Sequence, residues 1–116
     1  MSEIIDLKDG MERVQDDKDL LCELFDIFSE DFVGKYTAIQ AACVKGDAAA
    51  FQMLAHGLKG ATGNISAMRM HENCVELDKL GRACDLSGAG SGVALLGRQF
   101  EEFKLEVIKI KKDFGK

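Results

Sequence analysis

The chain has 116 residues, 47% apolar and 30% charged, with a net charge of −5, two histidines and no proline. That composition supports one apolar core and excludes a disordered segment, while the acidic balance argues against nucleic acid, whose binders carry basic surfaces. No apolar run is long enough to span a bilayer, and "MSEIIDLKDG" lacks the basic start and apolar core of a signal peptide.

In chain order, Asp6 can cap a short helix with Leu7, Met11 and Val14 on one side. "QDDKD" opens a long helix whose apolar positions are Leu21, Leu24, Phe25, Phe28, Phe32, Tyr36, Ile39 and Cys43. Gly46 ends it and Asp47 caps the next helix, which runs from about Ala48 to about Thr62. "GNIS" breaks the pattern, and Ser66 is read as the N-cap of a helix with the stripe Ala67, Met70, Cys74, Leu77, Gly81 and Cys84. "DLSGAGSG" is read as a loop. The last helix carries Val93, Leu96, Phe100, Phe103, Val107, Ile110 and Phe114 in alternating steps of three and four. Ala, Leu, Lys and Glu are abundant, and the connections are short. The expectation is therefore an all-α fold: an antiparallel up-and-down four-helix bundle with a short additional N-terminal helix, forming one domain over residues 1–116. Cys22, Cys43, Cys74 and Cys84 form no CxxC pair and fit free thiols of a cytoplasmic protein.

The chemistry concentrates in "AHGLKGATGNI", residues 55–65, where glycines 57, 60 and 63 each cost a helix interior about 1 kcal/mol relative to Ala. At about 100° per residue, Phe51, Leu54, Ala55, Leu58, Ala61 and Thr62 face the core, and His56 points outward, roughly 150° away. Gln52, Lys59, Gly60 and Gly63 share its face. Gly60 and Gly63 are expected to clear space for a macromolecule approaching His56, whereas Gly57 is directed toward close packing with the next helix. Neutral imidazole can attack phosphorus. Lys59, at i+3, would favour the neutral ring and offset charge on a phosphoryl group in transfer. No P-loop, kinase glycine loop or acidic metal pair accompanies these residues, so phosphoryl donor and metal must come from a partner.

Other features carry less. "SGAGSG" follows a helix rather than a strand and lacks a GK[ST] ending, so it is a turn rather than a phosphate loop. His71-Glu72 matches the His-Glu pair of kinase dimerisation helices, but nothing after it does. His71 and Cys74 would make only half a metal site, with Cys74 on the core stripe. Met68, His71, Val75 and Arg82 fall on the face opposite that stripe and could extend a docking surface around His56.

"AHGLKGATGNISA" resembles the signature of histidine phosphotransfer (HPt) domains: His, any residue, Leu-Lys-Gly, then Gly-Ala after a spacer. His56, Leu58, Lys59, Gly60 and Ala67 fit it, and Ser66 stands where Gly is usual. The resemblance continues through "CVELDKLGR" and reaches back to "IDLKDGMERVQDDKDLLCELFDIFSEDF". It implies a phosphoryl carrier without autonomous kinase activity, holding the group on His56 and exchanging it with an aspartate of a response-regulator receiver domain. Lys59 would stabilise charge and Gly60 would give docking clearance. Gln52, Gly63, Met68, Val75 and Arg82 would be partner-binding. Asp78 falls where some members carry Gln, which argues against a side-chain hydrogen bond to the imidazole. The implied partners are a receiver domain or a hybrid sensor histidine kinase, with no nucleic acid and no membrane. The chain would be a monomer with no cofactor or metal of its own, and Mg would sit on the receiver. The competing expectation is a non-catalytic helical adaptor with no phosphorylated histidine.

Overall fold

The computed structural model describes residues 3–116, which form five helices and no strand: α1 (Leu7–Arg13), α2 (Lys18–Lys45), α3 (Ala48–Asn64), α4 (Met68–Arg82) and α5 (Ala89–Asp113). Helices α2 to α5 make the expected four-helix bundle. Each packs on the next, and α5 closes back on α2, while α1 lies against α2. The long axis of 45 Å is set by α2, whose 28 residues span about 42 Å at 1.5 Å per residue.

The first three helices start on aspartates. Asp6, Asp17 and Asp47 each accept a hydrogen bond from the backbone N–H three residues on, at 3.0–3.1 Å. Helices α2, α3 and α4 end alike. A residue in the left-handed region follows the last turn, and two backbone N–H groups fold back onto the final carbonyls. After α2 that residue is Gly46, with Asp47 N–H bonded to the Ala42 carbonyl at 3.0 Å. After α3 it is Ser66 (φ 59°), with Ala67 N–H bonded to the Thr62 carbonyl at 3.0 Å. After α4 it is Cys84 (φ 53°), with Asp85 N–H bonded to the Leu80 carbonyl at 3.0 Å.

Two expectations change here. Ser66 closes α3 instead of capping α4; Ala67 holds the N-cap position and makes no side-chain cap bond. The Ser66 hydroxyl is instead spent on α1, donating to Asp9 at 2.6 Å, while the Asp6 N–H bonds the Ser66 carbonyl at 2.9 Å. Cys84 lies past the end of α4 and is exposed, so the buried stripe of that helix stops at Gly81. In addition, α5 begins at Ala89, inside the expected loop.

The expected stripes form the core. Phe25, Phe32, Phe51 and Phe103 are fully buried, and Phe32 stacks on Phe100 with ring centroids 4.3 Å apart. Phe25 and Phe28 meet Phe103 edge-on at 5.7 and 5.3 Å. Such pairs contribute about 0.5–1.5 kcal/mol each beyond area burial. They tie α2 to α5 and leave α3 and α4 to form the other side of the bundle.

Candidate functional site

Helices α3 and α4 run antiparallel and very close. The approach is tightest at Gly81, where an added Cβ would stand 2.7 Å from the Gln52 Cβ and 2.8 Å from its Cα. Only glycine fits there. One turn before Gly81, Asp78 is carried against the flank of α3 and buried, with 4% of its side chain exposed.

Asp78 organises the site. Its Oδ1 accepts from Gln52 Nε2 at 2.9 Å. Its Oδ2 accepts from Lys59 Nζ at 2.9 Å and from Arg82 Nε at 3.2 Å. His56 Nδ1 stands 3.8 Å from the same oxygen, beyond hydrogen-bond length. Burial by itself would push the Asp78 carboxyl up. The hydrogen bonds from Lys59, Gln52 and Arg82 and the Arg82 charge outweigh it and hold the group well below the usual carboxylate range.

His56 lies in the middle of α3 with 58% of its side chain exposed, on the outer face that the helical periodicity predicts. Gly57 and Gly60 flank it, and a Cβ added at either would meet nothing within 4 Å. Gly60 therefore leaves the space beside the imidazole open. Gly57 does not serve close packing with the next helix: its surroundings are empty because its Cα faces solvent.

Gly63 has a different environment from the one expected. A Cβ there would stand 3.2 Å from two ring atoms of His71, so this glycine makes room for that imidazole. His71 in turn is half-buried, and its Nδ1–H donates to the Lys59 carbonyl at 2.8 Å. A carbonyl only accepts, so the proton on His71 Nδ1 is fixed by this bond. Met68, His71 and Val75 are accordingly not on a free outer face of α4; all three are half-buried. Met68 lines, with Lys59, Gly60, Gly63 and Arg13, a hollow of about 630 Å³ beside the site. Val75 shares the side of α4 that carries His71 and Asp78.

The structure thus gathers His56, Lys59, Gln52 and Arg82 around Asp78, with Gly60, Gly63 and Met68 along one side. Lys59 does not lie free beside the imidazole, since its ammonium is held by Asp78. Composition and spacing gave no account of this carboxylate. The signal was present, since Asp78 falls between Leu77 and Gly81 on the buried stripe, where an ionised side chain needs partners. Among the described residues no group of three or more His, Cys, Asp or Glu side chains is arranged to hold a metal ion, and no helix is long and apolar enough to cross a membrane. Cys74 is buried in the core, where desolvation pushes its thiol up to about 12 against a lowering hydrogen bond with Thr62.

The family model of the Hpt domain matches residues 23–109, which hold α3, α4 and every residue around Asp78. Among solved structures the chain is similar to histidine-containing phosphotransfer protein B (HptB) from Pseudomonas aeruginosa PAO1. The TM-score is 0.87 at 23% identity, over 97% of this chain and 98% of that one, a likeness of fold. No match was found among curated proteins. The family match spans most of the chain and includes the exposed histidine with its lysine and glycine: the chain belongs to the Hpt domain family, the histidine phosphotransfer domains of phosphorelays.

Proposed function

We propose that the chain carries a phosphoryl group on His56 and exchanges it with the aspartate of a response-regulator receiver domain. The observation that carries this reading is an imidazole with 58% of its side chain exposed, flanked by two helical positions, 57 and 60, with open space around them. A receiver's aspartyl phosphate must reach the ring in line, which a flanking side chain would obstruct. The nucleophile is the neutral ring. Its Nδ1 faces Asp78, which leaves Nε2 for the incoming phosphorus. Lys59, one turn along the same helix, supplies the positive charge that a transferring phosphoryl group requires. Gly60 provides clearance, and Gln52 and Arg82 act from their places on Asp78. Gly63, Met68 and Val75 complete the adjoining surface. The receiver, or a hybrid sensor kinase bearing one, supplies the phosphoryl group and the Mg ion, and the chain itself starts no phosphorylation from ATP.

Incubating the protein with a phosphorylated receiver domain tests this reading. Label that moves to the chain, is lost in acid and survives alkali is the expected result. A stable complex without transferred label would make the chain an adaptor and overturn the proposal.

A further inference from the structure

Helix α2 carries a second seam beside its core face. Leu24, Ile27, Asp31, Gly34, Ala38 and Ala41 recur in alternating steps of three and four, the spacing of a helix–helix contact. All but Gly34 stand one residue before a buried position of the core face: Phe25, Phe28, Phe32, Ile39 and Ala42. The seam is therefore turned about 100° away from the core. Leu24 is half-buried and the other five are exposed, Ile27 by 48%. Single exposed apolar residues need no partner, but these are in register and open into a groove. That groove, about 170 Å³ between α2 and α3, is floored by Phe28 and Phe32 and walled by Ala61 and Ile65. At its edge stand Asp31 and Lys35, four residues apart, the spacing at which opposite charges pair along one helix. Here they do not pair: among the described residues neither side chain has an ion-pair or hydrogen-bond partner.

We propose that a second copy of this chain covers the face, the two α2 helices packing antiparallel about a two-fold axis. The inference does not rest on the carrier reading, and it departs from the monomer that the family resemblance implies. The register follows from the charges. With Asp31 set against Gly34 of the second copy, Ile27 falls on Ala38 and Leu24 falls on Ala41, by the same steps of three and four. Large side chains thus meet small ones, and the two-fold axis makes every contact twice. A Cβ added at Gly34 would meet nothing within 4 Å, so the two backbones approach closely there. Asp31 then comes within reach of Lys35 of the second copy. Two charges left unpaired within one chain form two ion pairs between chains. A parallel arrangement would set Asp31 on Asp31 and leave a void where Gly34 meets Gly34, so charge and shape both select the antiparallel one. A face that complements itself in size and in charge fits a second copy rather than a partner of unrelated sequence.

Sedimentation equilibrium of the full chain tests this. The mass of wild type should rise from 12.7 kDa toward twice that value as concentration increases to about millimolar. Asp31→Lys and Lys35→Asp each set like charges against each other, and each should weaken association by roughly tenfold or more. An equimolar mixture of these two variants restores both cross-chain pairs and should associate about as well as wild type. Ile27→Asp should abolish association. Ala38→Gln, an exposed helix position where folding is not at risk, should do so by filling the place of Ile27 of the second copy, and it decides alone if Ile27→Asp does not fold. A wild-type chain of monomer mass throughout would overturn the proposal. So would charge variants that associate like wild type, or a mixture that associates no better than its components. A monomeric chain whose affinity for a receiver domain falls in Ile27→Asp would give the groove to that partner and likewise overturn the second copy.

Discussion

Ser66 offers a quantitative test, because two opposed effects meet in one side chain. It holds a left-handed backbone at φ 59°, a conformation that costs a non-glycine residue about 1–2 kcal/mol. Its hydroxyl is buried and donates to the Asp9 carboxylate at 2.6 Å, pinning α1 to the α3–α4 turn. A hydrogen bond to a charged group contributes about 1.5–3 kcal/mol. The low end applies here, since Asp9 is half-exposed and also bonded to Arg13 at 2.8 Å. Ser66→Gly relieves the backbone cost, but the freer unfolded chain takes back about 0.4–1 kcal/mol. The net result should be a loss of about 1 kcal/mol. Ser66→Ala keeps the strained backbone and still forfeits the bond, so it should lose about 1.5–2 kcal/mol. Cys84 is the control: it has the same left-handed backbone (φ 53°) but an exposed side chain. Cys84→Gly should therefore gain about 0.5 kcal/mol. Urea unfolding at fixed slope measures all three, and 1 kcal/mol corresponds to about 4 °C in Tm for a domain of this size. A Ser66→Gly protein as stable as wild type, or less stable than Ser66→Ala, would refute the reasoning.

Gly60→Gln should hold or raise the thermal midpoint by the several tenths of a kcal/mol that separate the two residues in helices. It should also sharply reduce transfer from a phosphorylated receiver while sparing phosphorylation by phosphoramidate; equal losses with both donors would mean the histidine's own surroundings were damaged. Gly81→Ala and Gly57→Ala should move stability in opposite directions. The first drives a Cβ to 2.8 Å from the Gln52 Cα and should cost about 1–3 kcal/mol, whereas the second meets nothing within 4 Å and should gain up to about 1 kcal/mol. Urea midpoints of equal sign would contradict this. The depressed Asp78 carboxyl stabilises the fold above its unfolded value, about pH 4, and that stabilisation drains away as pH falls through the folded value. The stability gap between wild type and Asp78→Asn should therefore be constant from pH 7 to 5 and shrink below about pH 4. A gap that is flat or widening down to pH 3 would contradict the assignment.

How much of this was legible in the sequence depended on whether a residue's role was local. Asp17, Gly46 and Asp47 delimit α2 and open α3 through bonds to their own neighbours, and the apolar stripes sort core from surface by period alone. His56 was placed outward for the same reason. The failures were long-range. Serine is a good N-cap in isolation, but Ser66 is drawn into the left-handed position because its hydroxyl finds Asp9, 57 residues away. Gly63 looked like clearance for a partner until His71 from the next helix was set against it. Gly57, expected to pack against the next helix, lies open, and the close approach of α3 and α4 falls at Gly81 on the buried stripe. Asp78 was visible as a charge on a buried stripe, yet its partners lie on another helix, at Gln52 and Lys59.

Acceptor mapping decides whether His56 receives the phosphoryl group. The wild-type chain, His56→Gln and His71→Gln are each incubated with a phosphorylated receiver domain, and acid-labile phosphate is read by intact mass. His56 is exposed, and His71 is held by the Lys59 carbonyl. If His56 is the acceptor, one phosphoryl group is added to wild type and to His71→Gln, and none to a folded His56→Gln. Uptake retained by His56→Gln, or lost in a folded His71→Gln instead, would contradict it.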